Sequence, residues 1–332
     1  MSTVQINDRF QLHSLEQEDV FSVLVRDVRH GLSNDPKSIS CVHLYDEIGS
    51  EIFEEISAMP EYYLPEAECE IFRERGRELA SLFDHPVSMV DLGSGSSTKT
   101  RILIEAFQDV HGSVRYFPVD VSETMLTESS HDLLSDYDDL EVIGVAGDYD
   151  DGLRIAGEHD DRPRLVAFVG STIGNFYPND AISLMRRVRR LLGPKDLFLL
   201  TTDLRKERST LEQAYDDPHG ITARFNFNMV DRLNRELDAN FDLDALEFRA
   251  AFDEEAGWID MGLVSTRNQK VRLDVLDMEV ELSEGEFIRT EISRKFTLPE
   301  IDQLARESGM KVVNQWFDSK NRLGVNILAP TN

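Results

Sequence analysis

A glycine-rich stretch lies where a short buried strand is expected to meet the following helix. It reads Asp91-Leu92-Gly93-Ser94-Gly95-Ser96, and its small residues would let the backbone approach a ligand closely. The N-terminus of the next helix would add unpaired N–H donors at the same place. Taken alone, this stretch is also compatible with a plain tight turn.

Two carboxylates follow the next two predicted strands. Asp120 ends the second strand, where a carboxylate can accept hydrogen bonds from both hydroxyls of an adenosine ribose. Asp148 follows the third strand, where it can face the exocyclic amine of the adenine. Because the carboxyl ends of parallel strands form the ligand edge of an open α/β sheet, the combination predicts a nucleoside cofactor.

The glycine spacing distinguishes between two such cofactors. A dinucleotide site needs the third glycine of G-x-G-x-x-G, which allows close packing of the helix. Here Thr98 occupies that position, and the acidic Asp91 precedes the first glycine by two residues. Both features favour S-adenosylmethionine, which has no pyrophosphate, over the nicotinamide cofactor of an oxidoreductase.

The elements that must position these residues alternate between strand and helix. Short apolar runs predict buried parallel strands, and periodic segments between them predict helices. The predicted strands are Val87–Leu92, Val114–Val119, Leu140–Ala146, Leu165–Val169 and Leu197–Thr202. The predicted helices are Thr98–Phe107, capped by Ser97 or Thr98, and Pro178–Leu192. This order predicts an α/β fold with a doubly wound, mainly parallel sheet.

The pattern changes after Asp203. Apolar residues at a spacing of four predict a helix through Phe225 and Leu237, and alternating segments predict antiparallel strands. These strands are Leu246–Phe252, Trp258–Ser265, Val271–Leu276 and Phe287–Phe296. A capping box at Thr297-Leu298-Pro299-Glu300 then predicts the start of a last helix. The chain closes with a predicted strand pair, Lys311–Phe317 and Leu323–Leu328. We therefore predict a cofactor domain of residues 67–204 and 296–332, and an α+β substrate lobe of residues 1–66 and 205–295.

The composition excludes several partners. Asp and Glu number 63 against 35 Lys and Arg, which gives a formal net charge of -28. Such a field repels nucleic acid and anionic lipid, and it favours a cationic or zwitterionic small molecule. A well-solvated or salt-adapted surface explains the same excess equally well.

The remaining sequence features concern location and alternative chemistries. Cys41 and Cys69 form neither a CxxC motif nor a disulfide framework, so we expect a reducing compartment. Residues 1–12 lack the pattern of a signal peptide, and the apolar runs are far shorter than the roughly 20 residues of a membrane span. The eight histidines form no metal-binding spacing, and no GxSxG nucleophile motif occurs. We predict a cytoplasmic monomer without a metal site.

Four further motifs resemble the histidine Nα-methyltransferases of ergothioneine biosynthesis. They are Tyr45-Asp46-x-x-Gly49-Ser50-x-x-Phe53, Pro60-Glu61-Tyr62-Tyr63, Gly170-Ser171-Thr172-Ile173-Gly174-Asn175-Phe176 and Thr290-Glu291-x-Ser293-x-Lys295-Phe296. The resemblance covers the chain from about Tyr45 to the C-terminus. It implies a class I methyltransferase core with a substrate lobe, and trimethylation of histidine to the betaine hercynine by three molecules of S-adenosylmethionine.

The resemblance also implies which residues form the site. Those expected to line the cofactor pocket are Gly93, Lys99, Asp120, Asp148 and Tyr149, to which the glycine-rich stretch adds Ser94 and Gly95. Those expected to line the amino acid pocket are Tyr62, Asn175, Tyr215, Met261, Glu291 and Ser293, with Tyr45 nearby. Tyr45, Tyr62 and Asn175 are the candidates for catalytic roles. The acceptor of the amine proton stays open among Tyr45, Tyr62 and a water molecule.

Each implied role has a physical reason. Asn175 and Tyr215 can donate hydrogen bonds to the substrate carboxylate. Glu291 and Ser293 are two residues apart on a predicted strand and so project from the same face, where a carboxylate and a hydroxyl suit the two nitrogens of a neutral imidazole. Tyrosines most often serve as half-buried packing aromatics, and this is the alternative for Tyr62. A methionine on an alternating strand is more often a core residue than a ligand contact, and this is the alternative for Met261.

Two departures and two rivals accompany this resemblance. Leu64-Pro65-Glu66 stands where the family usually has Thr-Arg after Tyr63, and Tyr149 replaces a common phenylalanine. The nearest rival is a methyltransferase of the same build that acts on another amino acid, such as tryptophan or a histidine derivative. A rival of another class is a nucleoside-binding protein without catalysis.

Overall fold

The computed structural model describes residues 2–15, 18–159 and 161–331. Its strands are β1 (Ser2–Asn7), β2 (Phe10–Ser14), β3 (Ser88–Leu92), β4 (Val114–Asp120), β5 (Leu140–Ala146), β6 (Arg164–Phe168), β7 (Leu197–Asp203), β8 (Leu246–Asp253), β9 (Trp258–Ser265), β10 (Gln269–Leu273), β11 (Met278–Leu282), β12 (Phe287–Arg294), β13 (Met310–Phe317) and β14 (Leu323–Pro330). Its α-helices are α1 (Val20–Ser33), α2 (Glu47–Ser57), α3 (Leu64–Ala80), α4 (Thr100–His111), α5 (Glu123–Asp136), α6 (Tyr149–His159), α7 (Pro178–Leu191), α8 (Arg208–Tyr215), α9 (Ile221–Glu236) and α10 (Leu298–Glu307).

These elements form two compact units. Unit 1 contains the described residues of 1–17, 64–204 and 296–332, and unit 2 contains those of 18–63 and 205–295. Across the described residues, no helix is long and apolar enough to cross a membrane.

Unit 1 is built on a nine-stranded sheet in the order β1-β2-β5-β4-β3-β6-β7-β14-β13. The strands from β2 to β7 pair in parallel, whereas β1, β14 and β13 pair antiparallel at the two ends. Alternate residues of the central strands pack with α6, α7 and α10 in one apolar core that includes Val90, Val119 and Phe168. The predicted α/β fold with a doubly wound, mainly parallel sheet is confirmed.

The N-terminal segment differs from its predicted assignment. Residues 1–66 were expected in the substrate lobe, but β1 and β2 extend the large sheet, with β2 parallel to β5. Phe10 and Leu12 of β2 are buried, because alternation in Phe-Gln-Leu-His-Ser turns both apolar side chains to the same face. This alternation is typical of a strand and not of a helix, and it explains why the segment joins the large sheet.

The start of α4 also differs from the predicted cap. The helix begins at Thr100 after Lys99, and neither Ser97 nor Thr98 caps its N–H groups. Ser97 instead has a left-handed backbone (φ 56°) and its hydroxyl lies 2.8 Å from the Tyr116 hydroxyl. The tight turn after β3 therefore uses Ser97 for its own geometry, which leaves its side chain unavailable as a cap.

Unit 2 combines helices with two small antiparallel sheets. One has the order β12-β9-β8, and the other is the hairpin β10-β11, whose second strand the sequence pattern did not predict. The predicted helix through Phe225 is α9, and its apolar face packs on residues of α1, α2 and the small sheets, including Leu24, Ile52 and Leu263. Ile288 of β12 belongs to the same core, which anchors this strand in unit 2.

Candidate active site

The glycine turn of unit 1 is tied to the end of β4. Gly93 and Gly95 have φ values of +77° and +50°, which residues with a side chain rarely adopt. The Gly95 N–H donates to Asp120 Oδ2 at 3.1 Å, and the Ser122 N–H donates to Asp120 Oδ1 at 3.1 Å. Three residues that the sequence placed at one sheet edge, Gly93, Gly95 and Asp120, therefore do lie together.

Two buried polar atoms beside this turn carry no hydrogen bond within the described part of the chain. They are Ser94 Oγ and Asp91 Oδ1, in residues that are 9% and 0% exposed. A buried polar atom without a partner needs a physical explanation, and a polar ligand seated in the turn supplies one for the serine. The turn thus fits the polar part of a nucleoside cofactor.

Asp91 itself has a structural role. Its Oδ2 accepts hydrogen bonds from the Thr100 hydroxyl at 2.6 Å and from the Tyr116 hydroxyl at 2.9 Å. Burial raises the pKa of the Asp91 carboxyl, although both hydrogen bonds act in the opposite direction. Asp91 therefore joins the first residue of α4 to β4 below the glycine turn.

Asp148 and Tyr149 lie at the start of α6. Asp148 Oδ1 accepts a hydrogen bond from the Asp151 N–H at 2.9 Å, so this exposed carboxylate caps the helix. The half-buried Tyr149 ring packs edge-on against Phe168, with centroids 5.5 Å apart. Its hydroxyl faces Gly93, since a Cβ placed on Gly93 would lie 3.5 Å from it. Tyr149 and the glycine turn therefore adjoin the same space.

Lys99 belongs to a network that the sequence analysis missed. Its Nζ donates to Glu68 Oε2 at 2.6 Å, and Glu68 Oε1 accepts the Gly170 N–H at 2.6 Å. Burial lowers the pKa of Lys99, but the attraction of Glu68 and Asp91 outweighs it and the net pKa is raised. Glu68 lies on the buried face of α3, 0% exposed. The sequence signal for this network was an acidic residue, Glu68, among the apolar residues on one face of a helix.

Asn175 lies in unit 1, at the end of a 3₁₀ turn that follows β6. The turn begins after Ser171, whose hydroxyl accepts the Asp203 N–H at 2.7 Å and whose own N–H donates to Thr201 Oγ1 at 2.9 Å. These two bonds join the turn to β7. They fix the half-buried Asn175 at the carboxyl edge of the sheet.

Unit 2 brings Glu291 and Ser293 to one face of β12. The pairing with β9 contains a bulge at Thr290, after which Glu291 lies opposite Met261 and Ser293 opposite Ile259. Residues two apart on a strand share a face, so the predicted juxtaposition of carboxylate and hydroxyl is present. Met261 is 1% exposed, which is also what a core residue would show.

Five aromatic residues form a cluster in unit 2, which we call the aromatic cluster. Its edge-on contacts include Tyr62 with Tyr215, at 5.7 Å between centroids, and Tyr45 with Phe53 and Phe225, each at 5.3 Å. The Tyr215 hydroxyl lies 2.9 Å from Ser293 Oγ. Through Tyr215, the cluster thus connects Tyr45 and Tyr62 to Ser293 on β12.

Tyr63 is separate from this cluster. Its ring is buried, and its hydroxyl accepts a hydrogen bond from Lys206 Nζ at 2.6 Å. The two neighbouring tyrosines therefore have different surroundings: Tyr62 contacts Tyr215, whereas Tyr63 contacts Lys206.

Glu291 influences two groups of unit 2. Burial raises the pKa of the Tyr45 hydroxyl well above its usual value, and the nearby Glu291 and Tyr62 add to the effect, although 41% of the residue is exposed. Burial, with Glu291 as the second cause, raises the pKa of the Cys41 thiol to about 12. Tyr45 therefore keeps its proton near neutral pH.

Within residues 2–15, 18–159 and 161–331, no group of three or more histidine, cysteine, aspartate or glutamate side chains is placed to hold a metal ion.

The chain is similar to a family of methyltransferases and to several of its named members. The family described as histidine-specific, S-adenosylmethionine-dependent methyltransferases matches residues 24–330. The histidine N-alpha-methyltransferase of Mycobacterium tuberculosis is 37% identical over 92% of this chain and 94% of its own length. The enzyme of the same name from Mycolicibacterium smegmatis is 37% identical over 94% of this chain and 97% of its own.

A fungal relative extends the similarity. Ergothioneine biosynthesis protein 1 of Neurospora crassa is 28% identical over 89% of this chain, which corresponds to 33% of that longer protein. The family match spans both units, including the glycine turn, Asp120, Glu291 and Ser293. The chain therefore belongs to the family of histidine-specific, S-adenosylmethionine-dependent methyltransferases.

Proposed function

We propose that this enzyme transfers methyl groups from S-adenosylmethionine to the α-amino nitrogen of free L-histidine and forms hercynine, the trimethylated betaine of the ergothioneine pathway. The observation that carries the substrate assignment is the pairing of Glu291 and Ser293 on one face of β12. A carboxylate accepts from one imidazole nitrogen while a hydroxyl donates to the other, which matches the neutral ring of histidine.

In this proposal unit 1 holds the cofactor. Asp120 accepts the ribose hydroxyls, Gly93, Ser94 and Gly95 line the turn beside it, and Asp148 and Tyr149 face the adenine. Lys99, held by Glu68, supplies a positive charge for the carboxylate of the methionine part. When bound, S-adenosylmethionine supplies a sulfonium methyl group that a neutral amine can attack.

The residues of unit 2 orient the amino acid. Glu291 and Ser293 hold the ring and Tyr215 donates to the carboxylate, while Met261 contributes an apolar wall. The aromatic cluster, with Tyr45 and Tyr62, offers π faces to the methylated ammonium that forms after each transfer.

The protein's contribution to rate is alignment and exclusion of water, which can lower the barrier by several kcal/mol. The amine must lose its proton before each attack. Because Tyr45 retains its own proton near neutral pH, it does not act as a phenolate base at that pH. We assign its hydroxyl to hydrogen bonding at the edge of the amino acid pocket instead. We also propose that the enzyme works as a monomer in the cytoplasm.

The test is to incubate the purified protein with S-adenosylmethionine and L-histidine and to follow the product by mass spectrometry. We expect successive mono-, di- and trimethylated species, with the trimethylated one accumulating. Parallel reactions with tryptophan and with histamine, which lacks the carboxylate, should give no product. Methylation of tryptophan in preference to histidine, or no methylation of either, would overturn the assignment.

A further inference from the structure

A lysine at the end of β12 is fully buried. Lys295 lies two residues beyond Ser293 and is 0% exposed. Lysine is almost never fully buried unless its ammonium group is satisfied by partners, so its position calls for a specific reason. None of the roles assigned above uses it.

The ammonium group of Lys295 contacts both hydroxyls of the proposed histidine site. Its Nζ donates to Tyr215 Oη at 2.8 Å and to Ser293 Oγ at 2.8 Å, and the two hydroxyl oxygens are 2.9 Å apart. The Nζ also lies 4.3 Å from the centre of the Tyr215 ring. The three polar atoms thus form a closed triangle.

The chemistry of an ammonium group restricts what these hydroxyls can do. Lysine has three donor protons and no acceptor, whereas a hydroxyl has one proton and two lone pairs. Each hydroxyl must therefore turn a lone pair toward Lys295, and its own proton must point elsewhere. Of the two hydroxyl protons, one makes the hydrogen bond between Tyr215 and Ser293. The other hydroxyl proton points out of the triangle.

We propose that Lys295 is a positioning residue that holds Tyr215 and Ser293 as hydrogen-bond donors toward histidine. This inference rests on the proposed function and deepens it. When histidine binds, Tyr215 donates to its carboxylate and Ser293 donates to the unprotonated ring nitrogen. The positive charge of Lys295 strengthens both donors and attracts the carboxylate.

The same arrangement discriminates between side chains. A neutral imidazole offers an acceptor nitrogen, but the indole nitrogen of tryptophan is a donor only. With tryptophan, the indole ring would offer no acceptor for the Ser293 proton, and this unsatisfied donor would weaken binding. Lys295 therefore favours histidine over tryptophan without touching either ring.

The test is a double-mutant cycle on histidine affinity. Histidine binding is measured by calorimetry with S-adenosylhomocysteine present, for wild type, Lys295→Met, Tyr215→Phe/Ser293→Ala, and the triple variant. We expect Lys295→Met to weaken histidine binding by about tenfold or more in the wild-type background, and by less than about twofold when both hydroxyls are absent. The KM for histidine should rise more than kcat falls.

Lys295→Gln provides the matched control, because its amide keeps donor protons but carries no charge. It should retain tighter histidine binding than Lys295→Met, and it replaces the methionine variant in the cycle if that variant fails to fold. S-adenosylhomocysteine binding reports on the integrity of the cofactor site and should stay unchanged in all variants.

The possible results distinguish a failure of the role of Lys295 from a failure of the proposed function. An equal loss of histidine affinity in both backgrounds, or no loss at all, would overturn the role of Lys295 while leaving the proposed function intact. Wild-type protein that binds S-adenosylhomocysteine but not histidine would overturn the proposed function, and this inference with it.

Discussion

The carboxylate of Glu68 lies 2.6 Å from the ammonium group of Lys99, and the glutamate is completely buried. The same carboxylate accepts the Gly170 N–H at 2.6 Å, so it joins α3, the start of α4 and the end of β6 within unit 1. A buried charge of this kind is stable only while its partners remain. The pair therefore links the proposed cofactor residue Lys99 to the loop that leads to Asn175.

Replacing Glu68 should be costly. We expect Glu68→Ala to lower the free energy of unfolding by about 3 to 5 kcal/mol, because it leaves Lys99 without its counter-charge. Urea denaturation measures this loss, and Glu74→Ala, an exposed position on the same helix, is the control. A loss below about 1 kcal/mol, the range of surface pairs, would show that the pair is solvated.

The Asp120 carboxylate should control cofactor affinity. We expect Asp120→Asn to weaken binding of S-adenosylhomocysteine by about 10- to 100-fold, because the amide has no negative charge and has one acceptor oxygen instead of two for the ribose and the Gly95 N–H. Calorimetry measures the dissociation constant. Asp139→Asn, an exposed loop position, should bind as wild type does, and equal affinity of the Asp120 and Asp139 variants would contradict the proposed ribose contact.

Glu291 should affect the amino acid and not the cofactor. We expect Glu291→Ala to raise the KM for histidine by about 10- to 100-fold, since the ring loses a charged acceptor, while the affinity for S-adenosylhomocysteine stays the same. Glu247→Ala, an exposed position on β8, serves as the control. Parallel losses in both ligands would argue against a ring contact.

The Cys41 thiol should make stability depend on pH on the alkaline side. Burial raises its pKa from 9.0 to about 12, with Glu291 adding to the effect, so the unfolded chain releases the proton at lower pH than the folded one. Its contribution is fully present below pH 9.0 and is lost as the pH rises toward 12.

The measurement compares wild type with Cys41→Ala by urea denaturation at several pH values above neutrality. The free energy of unfolding of wild type should fall more steeply on the alkaline side than that of the variant. Two parallel curves would show that the thiol is solvated in the folded protein.

The capping box of α10 should contribute measurably to stability. The Thr297 hydroxyl accepts the Glu300 N–H at 3.4 Å while Glu300 Oε2 accepts the Thr297 N–H at 2.7 Å. Thr297→Ala should cost about 1 kcal/mol in thermal or urea unfolding, and Thr297→Ser should cost much less because the hydroxyl remains. Equal losses in the two variants would mean that the methyl group, and not the cap, matters.

Local patterns were sufficient for much of this fold. The strand Leu140–Ala146 was predicted with its observed bounds, because a continuous apolar run with helices on either side has few other solutions. The capping box was also confirmed, since both of its partners lie within four residues. Loops tied to strand ends, such as the glycine turn with Asp120, follow from the parallel topology.

Contacts between residues that are far apart in the sequence could not be predicted from local patterns. Glu68 and Lys99 are 31 residues apart, and Lys295 reaches Tyr215 across 80 residues, so no local periodicity indicates either contact. β1 and β2 were missed because a short strand with polar alternation gives a weak signal until its neighbour in the sheet is known. The sequence motif contained Lys295, but only the structure shows that this lysine is buried beside two hydroxyls.

The hairpin of β1 and β2 has a consequence for how the chain can be shortened. It lies before the residues that match the family, yet β2 covers the hydrogen-bonding edge of β5 and inserts Phe10 and Leu12 into the interior. A chain that began at α1 would leave the β5 edge and its apolar face open to pairing with another molecule. Trimming the protein to its family limits would therefore be expected to promote aggregation.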